Sequence, residues 1–425
     1  MVALQRISRE DAMNSIVRHY CVVRAPPSIF ASVATRPNIL WIVTTQWRAQ
    51  ACGYAGDPNA RTPWIDAMAS QAINYVQAIT PHPFGPQARA ALLTGKLCPE
   101  NGVRSYWDPL PIGARTIAHE MCDRGYKTAF FGKWHLANRD PSVALVGNAH
   151  AKMIVPEENR GGFDLWEGFE SGFLINDPWL HGTRLREPTH FLGYQADVLV
   201  DRAMAWLNRN EGAPKFCLLS MEPPHPPYRA AAPKIEPSDP ASLSLRGNVP
   251  IGGAVEPRAR ADLSGYYAHI GAIDRALGRL LSGVEIAETA TIFTSVHGDM
   301  HGSHGVFRKA WPYEESLRVP LLVRYPDAAG HSDNAMIGLE DLLPMSVAIS
   351  EGRRWESARN EVAISMPSVS GFPDQCPYQW KGTRSASKKM VSLVNPVEGS
   401  RLNTALAPWL EFDLVSDPLE LSNLV

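Results

Sequence analysis

Three histidines stand close together in the second half of the chain. They are His297, His301 and His304, in the segment HGDMHGSHG (residues 297–305). Imidazole nitrogens are common zinc ligands, and three of them can hold a catalytic zinc ion. The glycines Gly302 and Gly305 predict a turn rather than one helical face, so the three rings are not expected to converge. A zinc site is therefore the less favoured interpretation.

Two further polar residues follow a run typical of a buried strand. Residues 38–44 (NILWIVT) are almost entirely apolar, partly β-branched and preceded by Pro37, as in a central strand covered on both faces. Open α/β sheets place their functional groups at the carboxyl ends of such strands. Thr45 and Gln46 occupy that position.

The paired carboxylates of the segment WPYEESLRVPLLVR (residues 311–324) suggest acid–base chemistry at first sight. Glu314 and Glu315 are followed by Arg318. Carboxylates beside an arginine more often form a structural ion-pair network than a catalytic pair. We therefore interpret these three residues as a buried or half-buried network.

The elements that would position these groups alternate between strand and helix. Further strands are predicted at 127–131, 216–221, 289–295 and 319–323. Helices are predicted at 89–93, 116–123, 196–207 and 263–281. This order predicts an α/β fold with a mostly parallel central sheet sandwiched by helices. Residues 138–190 and 229–260 contain many Gly, Pro and Ser residues and predict irregular surface loops.

The domain organisation follows from changes in character along the chain. Residues 1–35 contain scattered arginines without a clean signal sequence, which predicts a poorly ordered extension or a start codon placed too early. Residues 36–345 predict the main domain. Shorter segments and turn residues beyond Pro344 predict a small C-terminal α+β subdomain at 346–425.

Composition excludes several classes of protein. With 425 residues, 45% of them hydrophobic and 20% charged, the chain can bury a large core. The formal net charge of −2 gives no general attraction to nucleic acid or to an anionic membrane. No apolar run reaches the ~20 residues that span a bilayer, and the six cysteines show no metal-type spacing. A cytoplasmic protein is the default expectation.

Several motifs occur together in a recognisable order. They are RPNILWIVTTQWR (36–48), RAALLTGK (89–96), GKWHL (132–136), HGDMHGSHG (297–305) and EFDLVSDPLELSNLV (411–425). In order and spacing they resemble the sulfatase family of the alkaline phosphatase superfamily, from about residue 36 to the last residue. The resemblance implies the fold of that family and a relationship to sulfuric ester hydrolases.

The same resemblance shows that the position of the family's nucleophile has changed. Sulfatases convert a Cys or Ser in the pattern C-x-P-x-R into formylglycine, whereas this chain has FGPQAR at 84–89. Counting back from Arg89 places the nucleophile at Gly85, and aligning Pro86 places it at Phe84. Neither side chain can attack an ester.

The family's metal ligands are also incomplete. The resemblance places acidic ligands at Thr45 and Val296, and leaves Gln46 and His297 as weak remnants of the site. Ca²⁺ and Mg²⁺ prefer several oxygen ligands, including carboxylates. No cofactor is therefore expected, and Ca²⁺ or Mg²⁺ would be needed only if the site still functions. Asp299 is expected to be structural, unless a shifted register brings it to the site.

The cationic part of the site is intact by resemblance. Five residues match positions that contact the sulfate or its neighbours in sulfatases: Arg89, Lys133, His135, His225 and Lys309. Without the acids, the pocket is expected to be net positive and to accept a small sulfated or phosphorylated ligand. An ordinary structural role remains the alternative for each residue.

Three functions follow from these observations. The first is a sulfatase-family protein that has lost most or all turnover and binds an ester anion. The second is an active sulfate, phosphate or phosphonate ester hydrolase with a non-standard site, in which His135 and His225 act as general acids. The third is a non-catalytic partner subunit of an active relative. The sequence favours the first because the nucleophile and both acids are missing from one site.

Overall fold

A computed structural model of the chain describes residues 36–210, 212–326, 329–394 and 407–425. The predicted extension at 1–35 lies outside these residues. The strands are β1 (Asn38–Thr44), β2 (Ile73–Ile79), β3 (Lys127–Lys133), β4 (Leu165–Phe169), β5 (Trp179–Gly182), β6 (Thr189–His190), β7 (Lys215–Ser220), β8 (Thr289–Ser295), β9 (Leu321–Arg324), β10 (His331–Gly338), β11 (Glu361–Met366), β12 (Trp380–Ser385), β13 (Lys388–Leu393) and β14 (Ala407–Asp413).

The first ten strands form one mixed sheet in the order β10-β2-β9-β8-β1-β7-β3-β4-β5-β6. The strands at its centre, from β8 through β1, β7 and β3 to β4, pair in parallel. Antiparallel pairs join β9 to both β8 and β2, and β5 to both β4 and β6. The predicted α/β fold is confirmed, with parallel pairing in the part of the sheet that holds the predicted site.

Helices cover both faces of this sheet. They are α1 (Pro63–Ala69), α2 (Gly85–Thr94), α3 (Ile117–Asp123), α4 (Asn148–Ala151), α5 (Gln195–Leu207), α6 (Val255–Gly283), α7 (Glu314–Leu317) and α8 (Leu342–Ser350). Alternate side chains of β1 enter two separate cores. Trp41 packs with α2, α3 and α8 on one face, and Ile42 packs with α1, α5 and α6 on the other. This two-sided burial explains why residues 38–44 are continuously apolar.

Strands β11 to β14 form a second, antiparallel sheet in sequence order. Its inner side chains, among them Val362, Trp380 and Val391, share a third core with Phe84 and Leu317 of the main part of the chain. Phe84 precedes α2, so the core under the C-terminal sheet also supports the start of that helix.

The predicted loops need one correction. Residues 138–190 were expected to be irregular but contain α4 and strands β4 to β6. These strands are five residues long or shorter, so they carry little of the alternation that identifies a strand in sequence. Residues 229–260 are mostly irregular, with α6 beginning at Val255. None of the helices in the described part of the chain has the length and apolar character that crossing a bilayer requires.

Candidate functional site

The site lies where four neighbouring strands end. The order β8-β1-β7-β3 brings together the residues at their carboxyl ends, as parallel pairing requires. A cleft of about 420 Å³ opens there. Its lining includes eight residues singled out in the sequence: Thr45, Phe84, Gly85, Lys133, His135, His225, His297 and Lys309. Three other residues singled out in the sequence, Gln46, Arg89 and Val296, do not line the cleft and lie behind the residues that do.

Thr45 is fully engaged by the protein. Its Oγ1 donates to the carbonyl oxygen of Met221 at 2.9 Å and accepts from Nη2 of Arg89 at 2.8 Å. Arg89 also donates to Oγ of Ser220 at 3.1 Å. Burial lowers the pKa of Arg89 to about 10, which leaves the guanidinium charged at neutral pH. Arg89 therefore acts on the cleft from below, through its charge and through Thr45.

Helix α2 starts at the wall of the cleft. Phe84 precedes it in an extended conformation, and Gly85 is its first residue. A Cβ atom added at Gly85 would lie 2.8 Å from Nδ1 of His135, which is closer than real Cβ atoms approach. The space in which a side chain at this position would begin is therefore taken by the His135 ring.

Replacing Gly85 by alanine tests this close approach. A helical glycine usually gains up to about 1 kcal/mol on that change. Here we expect Gly85→Ala to lower the free energy of unfolding by about 1 to 3 kcal/mol, as overpacking does. Urea unfolding should be measured with and without His135→Ala. In the His135→Ala background the change should be neutral or stabilising, and equal destabilisation in both backgrounds would contradict the contact.

Lys133, at the end of β3, forms a buried ion pair. Its Nζ donates to Oε1 of Glu222 at 2.7 Å, and the two side chains are 1% and 0% exposed. Burial lowers the pKa of Lys133 to about 8, although Glu222 opposes the shift. Sequence reasoning missed Glu222. The signal was present, because Glu222 follows strand β7 much as Thr45 follows β1.

Lys309 joins two other predicted residues. Its Nζ donates to Oε1 of Gln46 at 2.6 Å and lies 3.0 Å from Nε2 of His225. Nδ1 of His225 is 2.8 Å from the carbonyl oxygen of Pro226, so it donates there and leaves Nε2 as the acceptor. Burial, with Lys133 as the next cause, lowers the pKa of Lys309 to about 7.

Both candidate general acids are neutral imidazoles. Burial, then Lys309 and Lys133, holds the pKa of His225 well below its usual value. Burial, then Lys133 and Arg139, does the same for His135, whose Nε2 lies 3.3 Å from the hydroxyl of Tyr106. The positive charges around the cleft therefore favour rings without the second proton that a general acid donates.

The residues at the end of β8 differ in character. Val296 is fully buried in the apolar core. Nδ1 of His297 donates to the carbonyl oxygen of Gly298 at 2.9 Å, and its Nε2 has no protein partner in the described part of the chain. Asp299 does reach the neighbourhood of the site, where it accepts from the hydroxyl of Tyr228 at 2.5 Å and from Nε2 of Gln46.

The side-chain atoms available as metal ligands at this site do not fit a Ca²⁺ or Mg²⁺ ion. The amide oxygen of Gln46 accepts from the Lys309 ammonium, Thr45 is engaged, and Val296 offers no donor. Both oxygens of Asp299 accept hydrogen bonds, one of them from the backbone of His301 at 3.0 Å. A divalent cation would have to displace Lys309 from Gln46. Glu222, whose Oε2 has no partner among the described residues, is already paired with Lys133.

The zinc alternative is not supported by the geometry. The ring of His301 packs against Tyr228 and Tyr266, and His304 stacks on Tyr313 at 3.9 Å. In the described part of the chain, His304 has metal-ligand spacing only with Glu315 and Glu420, and not with the other two histidines.

Those two carboxylates are already neutralised by cations. Glu315 pairs with Arg246 at 2.8 Å, and Glu420 pairs with Lys389. Glu314 pairs with Arg384 at 2.8 Å. The two glutamates thus lie in a buried ion-pair network, as predicted, but their cations are Arg246, Arg384 and Lys389 rather than the expected Arg318.

Four residues other than glycine that line the cleft have left-handed backbone. They are His135, Phe173, Arg308 and Asp374, with φ angles of 61°, 55°, 65° and 64°. Such left-handed conformations cost energy and persist where the surrounding structure holds them, commonly at functional sites. Phe173 and Arg308 line the cleft, and neither was expected from the sequence.

Comparison with known proteins places the chain in a family. The sulfatase family model matches residues 37–349. The chain is 32% identical over 421 residues to the ulvan-active sulfatase of Formosa agariphila, covering 92% of this chain and 77% of that protein.

Solved structures share its fold. A Bacteroides fragilis protein assigned as the sulfatase yidJ matches with a TM-score of 0.80 and 23% identity, covering 92% of this chain and 91% of that one. A protein solved in complex with its substrate D-glucosamine-2-N,6-O-disulfate matches with a TM-score of 0.74 and 21% identity, covering 92% and 93%. The chain belongs to the sulfatase family, within the alkaline phosphatase superfamily.

Proposed function

We propose that this protein binds the anion of a sulfate or phosphate ester and does not hydrolyse it. The observation that carries the proposal is at the start of α2, where Gly85 provides no nucleophile and His135 fills the space beside it. Ester cleavage requires a nucleophile, stabilisation of the anionic oxygens and a proton for the leaving group. Of these three requirements, the cleft retains the second, and its lysines, with pKa values of about 7 and 8, can supply the third, but the first is missing at Gly85.

The cations support the binding half of the proposal. Lys133, Lys309 and Arg308 line the cleft, and Arg89 lies directly behind it. Lys133 is paired with Glu222, so the net positive charge expected from the sequence is smaller than a count of cations suggests. Lys309 is held by two neutral groups, Gln46 and His225. An ester anion can therefore contact Lys309 without displacing a carboxylate from it.

An active hydrolase with a non-standard site is the alternative, and the geometry argues against it. Its general acids would be His135 and His225, which are both neutral. The hydroxyl of Tyr106 also lines the cleft, but burial raises its pKa to about 12, which makes it a poor nucleophile.

Binding should weaken as pH rises. The pKa of Lys309 is about 7 and that of Lys133 about 8. Burial lowers the pKa of both lysines, so each side chain is charged below its pKa and neutral above it. A sulfate ester does not titrate in this range, and we expect its affinity to fall roughly tenfold or more between pH 6 and pH 9.

Calorimetric titration can test this with two esters that share an anion but differ elsewhere, 4-nitrophenyl sulfate and D-glucose 6-sulfate. At least one should bind at pH 6, Lys309→Met should abolish its binding, and Lys309→Arg should retain binding at pH 9. Lys96→Met, at an exposed lysine paired with Glu100, is the matched control. If neither ester binds, or if Lys309→Met binds as well as the wild type, the proposal is wrong. Titration with 4-nitrophenyl phosphate distinguishes the two anions.

A further inference from the structure

Aromatic rings surround the cationic floor of the cleft. We call Phe84, Tyr106, Phe173 and Phe372 the ring wall, and all four line the cleft. Tyr106 lies 5.6 Å from Phe84 and 4.7 Å from Phe372 between ring centroids. Phe173 stacks on His225 at 4.7 Å, and Nζ of Lys133 lies 4.8 Å from its centroid. The rings thus stand directly next to the groups that would bind the anion.

The ring wall is held in place from outside. Arg139 lies over the Tyr106 ring at 4.3 Å, and Trp107 packs edge-on against Tyr106 at 4.9 Å. Phe372 comes from the segment after β11, so the C-terminal part of the chain supplies one side of the wall. A wall fixed by such contacts loses little side-chain entropy when a ligand binds.

The outer lip of the cleft is also apolar. Leu145 and Val146 line it, as do Pro226, Pro227 and Pro373. The side chain of Val146 is 66% exposed. Val146 therefore extends the apolar surface of the ring wall to the entrance of the cleft.

The polar side chains of the outer cleft include Asp374, Arg308 and Gln375, and of these Asp374 is committed to an ion pair, whereas Arg308 and Gln375 can still bind a ligand. Asp374 accepts from Nη1 and Nη2 of Arg258 at 3.1 and 2.6 Å. The guanidinium of Arg308 lies over the Tyr228 ring at 5.3 Å. Oε1 of Gln375 has no partner among the described residues and offers one acceptor. The outer cleft therefore has few groups that could bind several hydroxyls at once.

We propose that the group carried on the ester is apolar, either an aryl or an alkyl group, rather than a sugar. This inference rests on the proposed function, because it assigns the remainder of a ligand whose anion that function binds. The apolar group of the ligand would pack on the ring wall, while the anion contacts Lys309. A sugar would bury hydroxyls without partners, which costs more than packing recovers. A cleft of about 420 Å³ is within the range of small-molecule sites.

The test compares the affinities of 4-nitrophenyl sulfate and D-glucose 6-sulfate in three proteins, the wild type, Phe372→Ala and Tyr378→Ala. We expect the aryl ester to bind the wild type at least tenfold more tightly than the sugar ester. Phe372→Ala should weaken the aryl ester about tenfold to a hundredfold, the loss expected for an aromatic contact, and should change the sugar ester less than threefold. Tyr378, 48% exposed and packed on Trp409, does not line the cleft and is the matched aromatic control.

The outcomes separate this inference from the function on which it rests. Tighter binding of the sugar ester, or an aryl affinity unchanged by Phe372→Ala, would overturn the apolar assignment and leave the anion site standing. Failure of both esters to bind would overturn the proposed function itself. Thermal unfolding of Phe372→Ala checks that the variant is folded, and Phe372→Leu, which keeps an apolar side chain, should recover part of the lost aryl affinity.

Discussion

Purified protein should leave 4-nitrophenyl sulfate unhydrolysed, whether or not Ca²⁺, Mg²⁺ or Mn²⁺ is added. The reason is the first residue of α2, because Gly85 has no atom with which to attack sulfur. In a serine protease, removal of the nucleophile lowered kcat about 10⁶-fold, which corresponds to about 8 kcal/mol of activation free energy. Two neutral histidines and two lysines do not replace a contribution of that size.

The measurement needs a guard against host sulfatases that co-purify. Lys309→Met, prepared in the same way, is the control for such contamination, because a contaminant would be equally active in both preparations. We expect the two rates to be indistinguishable for the sulfate ester and for 4-nitrophenyl phosphate. Turnover by the wild type that is lost in Lys309→Met would show a working site in this cleft and refute the non-hydrolytic half of the proposal.

Gly85→Cys should be inactive as well. The new side chain would collide with the His135 ring, and the acids expected at Thr45 and Val296 would still be missing. The sequence FGPQAR also departs from the C-x-P-x-R pattern, because Pro86 would follow the cysteine directly. The changes at the site thus reinforce one another, and no single substitution is expected to restore turnover.

The sequence predicted the central sheet well because its strands carry strong signals. Strand β1 was predicted with its observed bounds, and so was β8, since both are buried on both faces and rich in β-branched residues. Strands β4 to β6 were missed, as they are short and lie toward one edge of the sheet, and so were β2 and β10 toward the other edge, of which β10 begins with four polar residues. Helix α6 begins at Val255, eight residues before its predicted start at Leu263, because its first turns are polar and lack the apolar stripe.

The candidate site was predicted in its residues more than in its layout. Motif order identified Lys133 and Lys309, and the structure brings both to the cleft. Motif order could not show that Arg89 lies behind Thr45, because a motif does not indicate how deeply a residue is buried. The ring wall was missed for a similar reason. Tyr106 and Phe372 are more than 250 residues apart in sequence and meet only in the folded chain.

Removing Lys133 should have the largest effect on stability. Its partner Glu222 is fully buried, and Oε2 of that carboxylate already lacks a partner in the described part of the chain. Lys133→Met would leave a carboxylate buried without its cation, a change that typically costs about 3 to 5 kcal/mol. We therefore expect Lys133→Met to lower the free energy of unfolding at pH 7 by about that amount in urea unfolding.

An exposed pair of the same type provides the control. Lys96 and Glu100 are joined at 2.8 Å, nearly the same distance, but their side chains are 55% and 66% exposed. Water screens such a pair, so Lys96→Met should cost at most about 1 kcal/mol. Lys133→Met with Glu222→Gln should recover much of the loss of the single variant, because the stranded charge is then gone. If the loss of unfolding free energy in the double variant equals the sum of the losses in the two single variants, the ion pair contributes nothing. Lys133 would then stabilise the fold through packing, and Glu222 would not hold its ammonium group in place.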